Sequence, residues 1–206
     1  MHYPKQLLSL IEALKKLPGV GKKTAERYAF KILDWTPEEI KKFSLILQML
    51  PTSISLCDEC GCFIEQKHCV FCSKDSLHPQ LCIVAYPKDV YPIAQAHLFK
   101  GYYHVLGGLL SPLEGKSADQ LRVKNLIERI QQREIREVIL ALDATLNGDA
   151  TALFLAKELS SEKLKITKLA SGLPLGSSLD YIDEGTLSQA FQRRHDLNAS
   201  AIQTEF

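Results

Sequence analysis

The sequence contains no long apolar run and no large excess of charge of either sign. No stretch approaches the roughly 18 apolar residues that a membrane-spanning helix requires. The 25 lysine and arginine residues are offset by 24 acidic ones, which gives a formal net charge of +1. The sequence therefore predicts neither a membrane protein nor a uniformly basic coat, and any nucleic-acid-binding surface must be local.

The first residues, MHYPKQLLSLIEAL, have little of what a secretory signal needs. A glutamate interrupts the apolar stretch, and no small-residue cleavage site follows it. Five of the six cysteines lie between Cys57 and Cys72, and such clustering favours a metal site over a disulfide framework. We expect a cytoplasmic protein.

Apolar residues at helical spacing predict three helices in the first fifty residues. The first ends at Pro18 and Gly19, and the second covers GKKTAERYAFKIL. The third begins with Thr36 as N-cap and Glu39 completing a capping box, and it is predicted to end at Pro51. Its predicted buried residues are Ile40, Phe43 and Leu47.

After residue 80, short apolar runs typical of buried strands alternate with helical patterns. The predicted strands are 81–86, 102–106, 137–142 and 164–170, and helices are predicted at 90–99 and 149–159. Another helix is expected to begin with a capping box of Ser117 and Gln120. This β-α-β series predicts an α/β domain with a largely parallel sheet, which binds its ligands at the carboxyl ends of the strands.

Two glycines separated by one residue, Gly19 and Gly21, join the first two predicted helices in LPGVGKKTAER. Free amides at the start of the second helix form an anion site, which the helix dipole strengthens. Lys22, Lys23 and Arg27 place cations beside it, so the pattern favours sequence-nonspecific contact with a phosphate backbone. A glycine turn with a solvated basic face is the alternative. The stretch resembles the helix-hairpin-helix DNA-binding motif, whose core is an apolar residue, Pro, Gly, an apolar residue and Gly.

The segment CDECGCFIEQKHCVFC contains two Cys-x-x-Cys pairs, Cys57 with Cys60 and Cys69 with Cys72. Four thiolates at this spacing suit one tetrahedral zinc ion per chain, and because the protein fills all four positions the zinc would be structural. The metal is expected to fold a segment too small to have a core of its own. Cys62 is expected to stay free. The alternative is a set of unligated buried thiols.

Acidic residues follow the third predicted strand in ALDATLNGDATA. This stretch resembles the acidic motif of the Toprim fold, in which two aspartates separated by one residue precede a glycine and a further acid. Asp143 matches the first aspartate, and Gly148 with Asp149 matches the later pair. Thr145, however, occupies the position of the second aspartate. Ala85 stands where Toprim enzymes have a glutamate, at the end of the first strand.

Two of the metal carboxylates of an active Toprim enzyme are therefore missing. Magnesium-assisted phosphoryl transfer needs clustered oxygen ligands, so the chain is expected to keep the Toprim shape without its chemistry. The remaining acidic edge, Asp143 and Asp149, suits a basic patch on a partner protein. The alternative is that Asp143 is an ordinary loop or helix-start residue.

In this order, the three motifs together resemble the RecR family of bacterial recombination mediators. The resemblance covers nearly the whole chain and includes the specific segments YHVLGG and GLPLGSSLDYIDE, but not the tail after Arg194. It implies a helix-hairpin-helix module at 1–53, a four-cysteine zinc finger at 54–76 and a Toprim domain with a Rossmann-like parallel sheet at 80–175. A C-terminal helical segment and tail would occupy 176–206.

The resemblance also implies a non-enzymatic DNA-repair factor. Such a factor acts with RecO and RecF to help load RecA onto gapped single-stranded DNA. The expected assembly is a homo-oligomer, a dimer or a tetrameric ring, which binds DNA without sequence preference at the nucleoid and contacts partners through acidic Toprim residues. Two alternatives are an active Toprim-type nuclease or primase-like enzyme, and a zinc scaffold without a role on DNA.

Overall fold

Helices alone build the first part of the chain, and helices with a parallel sheet build the second. The computed structural model describes residues 3–73, 78–160, 164–170, 172–192 and 194. The chain divides into two units, Met1–Ser55 and Leu56–Phe206. Within the described ranges, no helix is both long enough and apolar enough to cross a membrane. The tail predicted after Arg194 lies outside the described residues.

The first unit contains α1 (Lys5–Leu14), α2 (Lys22–Leu33) and α3 (Pro37–Ser53). α1 and α2 pack through a small core of Leu7, Ile11, Ala25 and Ala29. The two alanines leave α2 without bulky side chains on the face that meets α1, so the two helices can lie close together.

α3 begins as predicted but ends later. The Thr36 hydroxyl accepts a hydrogen bond from the Glu39 N–H, and the Glu39 carboxylate accepts one from the Thr36 N–H at 2.7 Å. The prediction that Pro51 ends the helix is wrong, because Pro51 lies inside the last turn. Pro51 has no N–H to donate, but the helix continues past it to Ser53, and the N–H of Ile54 bonds to the Leu50 carbonyl.

The predicted buried face of α3 is exposed within the chain. Ile40 and Phe43 each expose 44% of their surface and Leu47 exposes 51%, and no residue of the helix is buried. The burial prediction is therefore wrong for the single chain. Helical periodicity identifies an apolar face, but it does not say what covers that face.

The second unit contains a four-stranded parallel sheet of order β4-β3-β5-β6. Two short strands precede it, β1 (Ile54–Leu56) and β2 (Phe63–Glu65), which pair with each other. The strands of the sheet are β3 (Gln80–Val84), β4 (Tyr102–Val105), β5 (Glu137–Leu140) and β6 (Lys165–Lys168). The predicted parallel sheet is confirmed, with strands shorter than the apolar runs.

Four longer helices belong to this unit: α4 (Val90–Gln95), α5 (Val123–Gln132), α6 (Leu146–Glu158) and α7 (Glu184–Gln192). α4 ends four residues before its predicted end, and α6 begins three residues before its predicted start. The capping box predicted for α5 is wrong. Ser117 makes no side-chain cap, and residues 118–120 form a separate 3-10 turn before α5 begins.

The two faces of the sheet pack against different partners. Because side chains alternate along a strand, β3 directs Leu81 and Ile83 into a core shared with α5 and α6. It directs Cys82 and Val84 into a second core that contains three cysteines of the 57–62 stretch. The cysteine segment therefore shares a core with the sheet.

Candidate metal centre and nucleic-acid interface

The four predicted metal ligands lie together. The Sγ atoms of Cys57, Cys60, Cys69 and Cys72 are all within 4.8 Å of one another. Cys57 and Cys72 are 4.0 Å apart, and Cys60 and Cys69 are 3.5 Å apart. Sulfur atoms bound to one tetrahedral zinc ion are about 3.8 Å apart, so this group, called the cysteine cluster below, can hold a metal ion.

The turn that begins at Cys57 and includes Cys60 ends at a glycine, Gly61. The Gly61 N–H donates to the Cys57 carbonyl and the Cys57 N–H donates to the Cys62 carbonyl, both at 2.8 Å. Gly61 has φ +76°, and a Cβ there would lie 2.9 Å from the Cβ of Val105 on β4. Both the left-handed backbone and the close approach of β4 require glycine here.

The thiols of the cluster differ in acidity. Hydrogen bonds from the Cys62 and Cys72 side chains hold the pKa of Cys60 far below its usual value. Burial raises the pKa of Cys69 to about 11. Cys62 donates its backbone N–H to the Cys60 sulfur at 3.5 Å but does not belong to the group of four. A metal ion that binds all four sulfurs must displace the remaining protons.

Three arginines reach the segment of the cysteine cluster from α5 and from the residues that cap its two ends. Arg122 donates to the backbone carbonyl of residue 58 at 2.5 Å. Arg129 is buried, and it donates to the Glu59 carboxylate at 3.0 Å and to the Cys72 sulfur at 3.3 Å. Arg133 lies 3.0 Å from the same Glu59 carboxylate. Sequence reasoning missed these residues, although two arginines four residues apart do interrupt the apolar pattern of this helix.

Gly19 and Gly21 form the turn between α1 and α2. Gly19 has φ +76°, and Gly21 is the N-cap of α2 with an extended backbone. Among the described residues, no heavy atom outside the adjoining chain lies within 4 Å of a Cβ built at either position. This turn, called the glycine hairpin below, therefore has open space where another molecule can approach its backbone.

The start of α2 has the features of an anion site. It has no side-chain cap and no acidic residue in its first turn. Lys22, Lys23 and Arg27 are exposed, and in the part of the chain that the structure describes none of them forms an ion pair. Lys15, in contrast, pairs with Glu12 at 2.9 Å. Uncapped amides and unpaired cations at a helix start favour a bound anion.

The two aspartates of the Toprim-like motif lie near the carboxyl end of β5 and differ in their contacts. Asp143 is exposed, and no ion pair engages it within the described ranges. Asp149 lies in the first turn of α6 and forms an ion pair with Lys168 of β6. The acidic edge is therefore partly neutralised by a neighbouring lysine.

The residues that replace the missing carboxylates have structural contacts. The Thr145 hydroxyl caps α6 by accepting the Gly148 N–H at 3.1 Å. Ala85 is buried in the core between the sheet and the helices. Among the described residues, the cysteine cluster is the one group of three or more His, Cys, Asp or Glu side chains close enough to hold a metal ion.

Three protein-family models match successive parts of the chain. Residues 7–50 match the family model described as RecR, helix-hairpin-helix. Residues 79–170 match the Toprim domain model, and residues 172–195 match the model described as RecR, C-terminal.

Curated relatives match over nearly the full length of both chains. Recombination protein RecR of Protochlamydia amoebophila is 48% identical over 195 residues, which cover 94% of this chain and 98% of the relative. The proteins of the same name from Chlamydia caviae and Chlamydia trachomatis serovar L2 are 45% and 46% identical over 197 residues, covering 95% of this chain and 98% of each relative. This chain belongs to the RecR family of recombination proteins.

Proposed function

We propose that this chain is a non-enzymatic, DNA-binding recombination mediator that acts with RecO and RecF to help load RecA onto gapped single-stranded DNA. The observation that carries the DNA role is the start of α2, where uncapped amides and unpaired cations meet at the open glycine hairpin. Membership of a family of recombination proteins supports the same role. Work on chromosomal DNA would place the protein at the nucleoid in the cytoplasm.

The proposed DNA contacts are to phosphate and carry no sequence preference. The backbone amides of the hairpin and the side chains of Lys22, Lys23 and Arg27 are proposed to donate to phosphate oxygens, and phosphate contacts carry no sequence information. Each phosphate neutralised releases bound counterions, which makes the affinity fall steeply with salt.

A salt titration with a double variant tests this surface. Lys23→Ala with Arg27→Ala should weaken binding to unrelated DNA sequences alike. If both side chains contact phosphates, the slope of log affinity against log salt should become shallower by about 1.4–1.8. Lys41→Ala with Lys42→Ala is the matched control, because it removes the same charge from exposed positions on α3.

Normal DNA binding by a folded hairpin variant would contradict the assignment of these contacts. Absence of salt-dependent binding by the unchanged protein would instead favour the zinc scaffold without a DNA role.

We propose that Asp143 and Asp149 catalyse nothing. A magnesium-bound phosphoryl transition state needs several anionic oxygens around the ion. At this edge Thr145 caps a helix, Ala85 is buried and Lys168 neutralises Asp149. Purified protein incubated with labelled single-stranded, nicked and duplex DNA and magnesium or manganese should give no product. Product that disappears with Asp143→Ala would establish the Toprim-enzyme alternative.

We propose that the cysteine cluster holds one structural zinc ion per chain. The sulfur separations fit a tetrahedral ion, and the protein fills all four positions, so no site remains for a reactive water. Metal analysis of protein purified without chelator should find one zinc per chain. A protein free of zinc would contradict this proposal.

We propose that the acidic edge docks a basic surface of RecO or RecF. Asp143 should contribute more than Asp149, because Lys168 already pairs with Asp149. Asp143→Ala should weaken the partner complex and leave folding and zinc content unchanged, whereas Glu128→Ala, an exposed carboxylate on α5, should leave all three unchanged. Normal partner binding by Asp143→Ala would leave Asp143 as an ordinary loop residue.

We propose that the chain assembles as a dimer or a tetrameric ring. The exposed apolar side chains of α3 support an assembly, because a large exposed apolar surface is typical of an interface. Native mass measurement, with and without RecO, should find a multiple of the chain mass. A monomer at micromolar concentration would contradict the proposed ring.

A further inference from the structure

Arg129 is the most deeply buried charged side chain described, with 2% of its surface exposed. All three nitrogen atoms of its guanidinium donate hydrogen bonds. Nε donates to the Glu59 carboxylate, Nη1 donates to the Tyr103 carbonyl, and Nη2 donates to the Cys72 sulfur at 3.3 Å. The side chain therefore joins α5 to β4, to Glu59 between the cysteines of the first Cys-x-x-Cys pair, and to Cys72 of the second pair.

A buried guanidinium is unfavourable unless negative charge compensates it. Glu59 supplies one carboxylate, but Arg129 and Arg133 share it. Arg122 adds a third positive charge against the backbone carbonyls of the same turn. The neighbouring Asp58 is exposed and forms no ion pair with these arginines among the described contacts. The groups in contact therefore carry three positive charges and one negative charge.

A zinc ion bound by four thiolates carries two negative charges in total. That charge balances the excess of two positive charges around the cluster, whereas four protonated thiols would leave the excess uncompensated. The arginines and the metal-bound thiolates are therefore complementary, and the hydrogen bond from Arg129 to Cys72 is where the two sets of charges meet.

We propose that Arg129 is a positioning residue of the metal centre, which holds the metal-bound thiolate of Cys72 and offsets the charge of the four-thiolate complex. The inference rests on the proposal that the cluster holds zinc. A hydrogen bond from a buried side chain holds the sulfur in its place at the metal, so it slows the ligand exchange by which the metal escapes. Retention of zinc would then depend on α5, far from the cysteines in sequence.

Zinc release from the full-length, metal-loaded chain tests the proposal. Loss of a group that supports a metal ligand usually lowers metal affinity about 10–100-fold. Because faster release is one way to lose affinity, transfer to a chromophoric chelator should be about tenfold faster for Arg129→Met than for the unchanged protein. Arg133→Met is the matched control. It removes the same charge four residues later, at the residue that caps the end of α5, and loses the same Glu59 contact, but it touches no sulfur.

The conservative variant separates charge from hydrogen bonding. Arg129→Lys keeps the positive charge but loses the planar fork of donors, so its release rate should lie between those of the unchanged protein and Arg129→Met. If Arg129→Met does not fold, the comparison is made with Arg129→Lys and Arg133→Lys.

Cobalt substitution gives a readout that a purely structural role would not change. The sulfur-to-cobalt charge-transfer band should move to longer wavelength in both Arg129 variants, because a thiolate that has lost a hydrogen-bond donor is easier to oxidise. Equal release rates for the Arg129 and Arg133 variants, or an unchanged band, would overturn the role of Arg129. An unchanged protein that binds no zinc would refute the metal assignment itself, and this inference with it.

Discussion

The cysteine cluster and the glycine hairpin are built in opposite ways, although each turns at a glycine with φ +76°. At Gly61 an added Cβ would meet Val105 at 2.9 Å, whereas at Gly19 it would meet no atom within 4 Å. The sulfurs of the cluster contact one another and Arg129. The cations of the hairpin form no ion pair within the described ranges.

This difference indicates where each region contributes free energy. The groups of the cluster already have partners, so its interactions stabilise the folded chain. The groups of the hairpin have little to contact within the chain, so their interaction energy remains available for an anionic partner. Substitutions in the cluster should therefore change stability, and substitutions in the hairpin should change binding.

The largest expected effect is loss of the second unit in Cys60→Ser. A structural zinc site contributes on the order of 10 kcal/mol of apparent binding free energy, which is comparable to the whole stability of a domain, roughly 5–15 kcal/mol. The variant should lose zinc and the cooperative melting transition of the sheet, as measured by metal analysis and circular dichroism.

Cys62→Ala is the control for this experiment, because Cys62 is equally buried but lies outside the group of four sulfurs. It should keep one zinc per chain. Loss of zinc from Cys62→Ala, or wild-type melting of Cys60→Ser, would show that the ligands are assigned wrongly.

Gly61→Ala should give the next largest effect, a loss of roughly 2–5 kcal/mol of unfolding free energy. The left-handed backbone costs a non-glycine residue about 1–2 kcal/mol, and the new methyl group would be forced against Val105 in a packed core, which adds about 1–3 kcal/mol. Urea denaturation of the zinc-loaded protein measures the change. A loss no greater than that of Gly19→Ala would show that the core at β4 can relax.

Acid should destabilise the second unit through His104. This residue is fully buried on β4, with Nε2 3.1 Å from the Arg122 carbonyl oxygen, and Nδ1 has no hydrogen-bond partner among the described residues. Burial lowers the pKa of His104 to about 4, below its unfolded value of about 6.5. The unfolded chain therefore binds more protons between these values. Stability is full above about pH 6.5 and falls towards pH 4, by at most about 3 kcal/mol.

His104→Phe should remove this pH dependence, because phenylalanine cannot bind a proton. Urea midpoints of the two proteins, compared from pH 7 to pH 4.5, measure the difference. If the urea midpoints of both proteins fall equally with pH, the loss of stability in acid is caused by a group other than His104.

Gly19→Ala should have the smallest effect on stability, about 1 kcal/mol on the first unit, because only the left-handed backbone is strained and no atom obstructs the methyl group. Its DNA affinity should fall by more than its stability suggests, since the methyl group stands where a phosphate backbone would approach. Thermal melting and DNA titration of the same sample compare the two effects. Unchanged DNA affinity would show that the partner does not approach the turn.

Sequence patterns predicted the features that depend on neighbouring residues. The structure confirms the capping box of Thr36 and Glu39, and it confirms the parallel sheet that the alternating strands and helices predicted. The capping box of Ser117 and Gln120 is wrong, because the chain makes a 3-10 turn there and starts α5 later. A local sequence pattern indicates which hydrogen bonds a side chain could make. The conformation of the backbone decides whether those hydrogen bonds form.

The sequence by itself determined which functional groups the protein has and how they are spaced. These are the paired cysteines, the glycines at two turns, the cations at one helix start, and residues without carboxylates at positions 85 and 145. These are properties of residue type and short spacing, and no folding is needed to read them.

Only the tertiary structure decided how these groups are partnered. Arg129 reaches the Cys72 sulfur across 57 positions of sequence, and Lys168 neutralises Asp149 across 19. The apolar face of α3 is left exposed within the chain. Such contacts arise because crossovers of the sheet bring distant segments side by side, and no local spacing records which side chains will meet there.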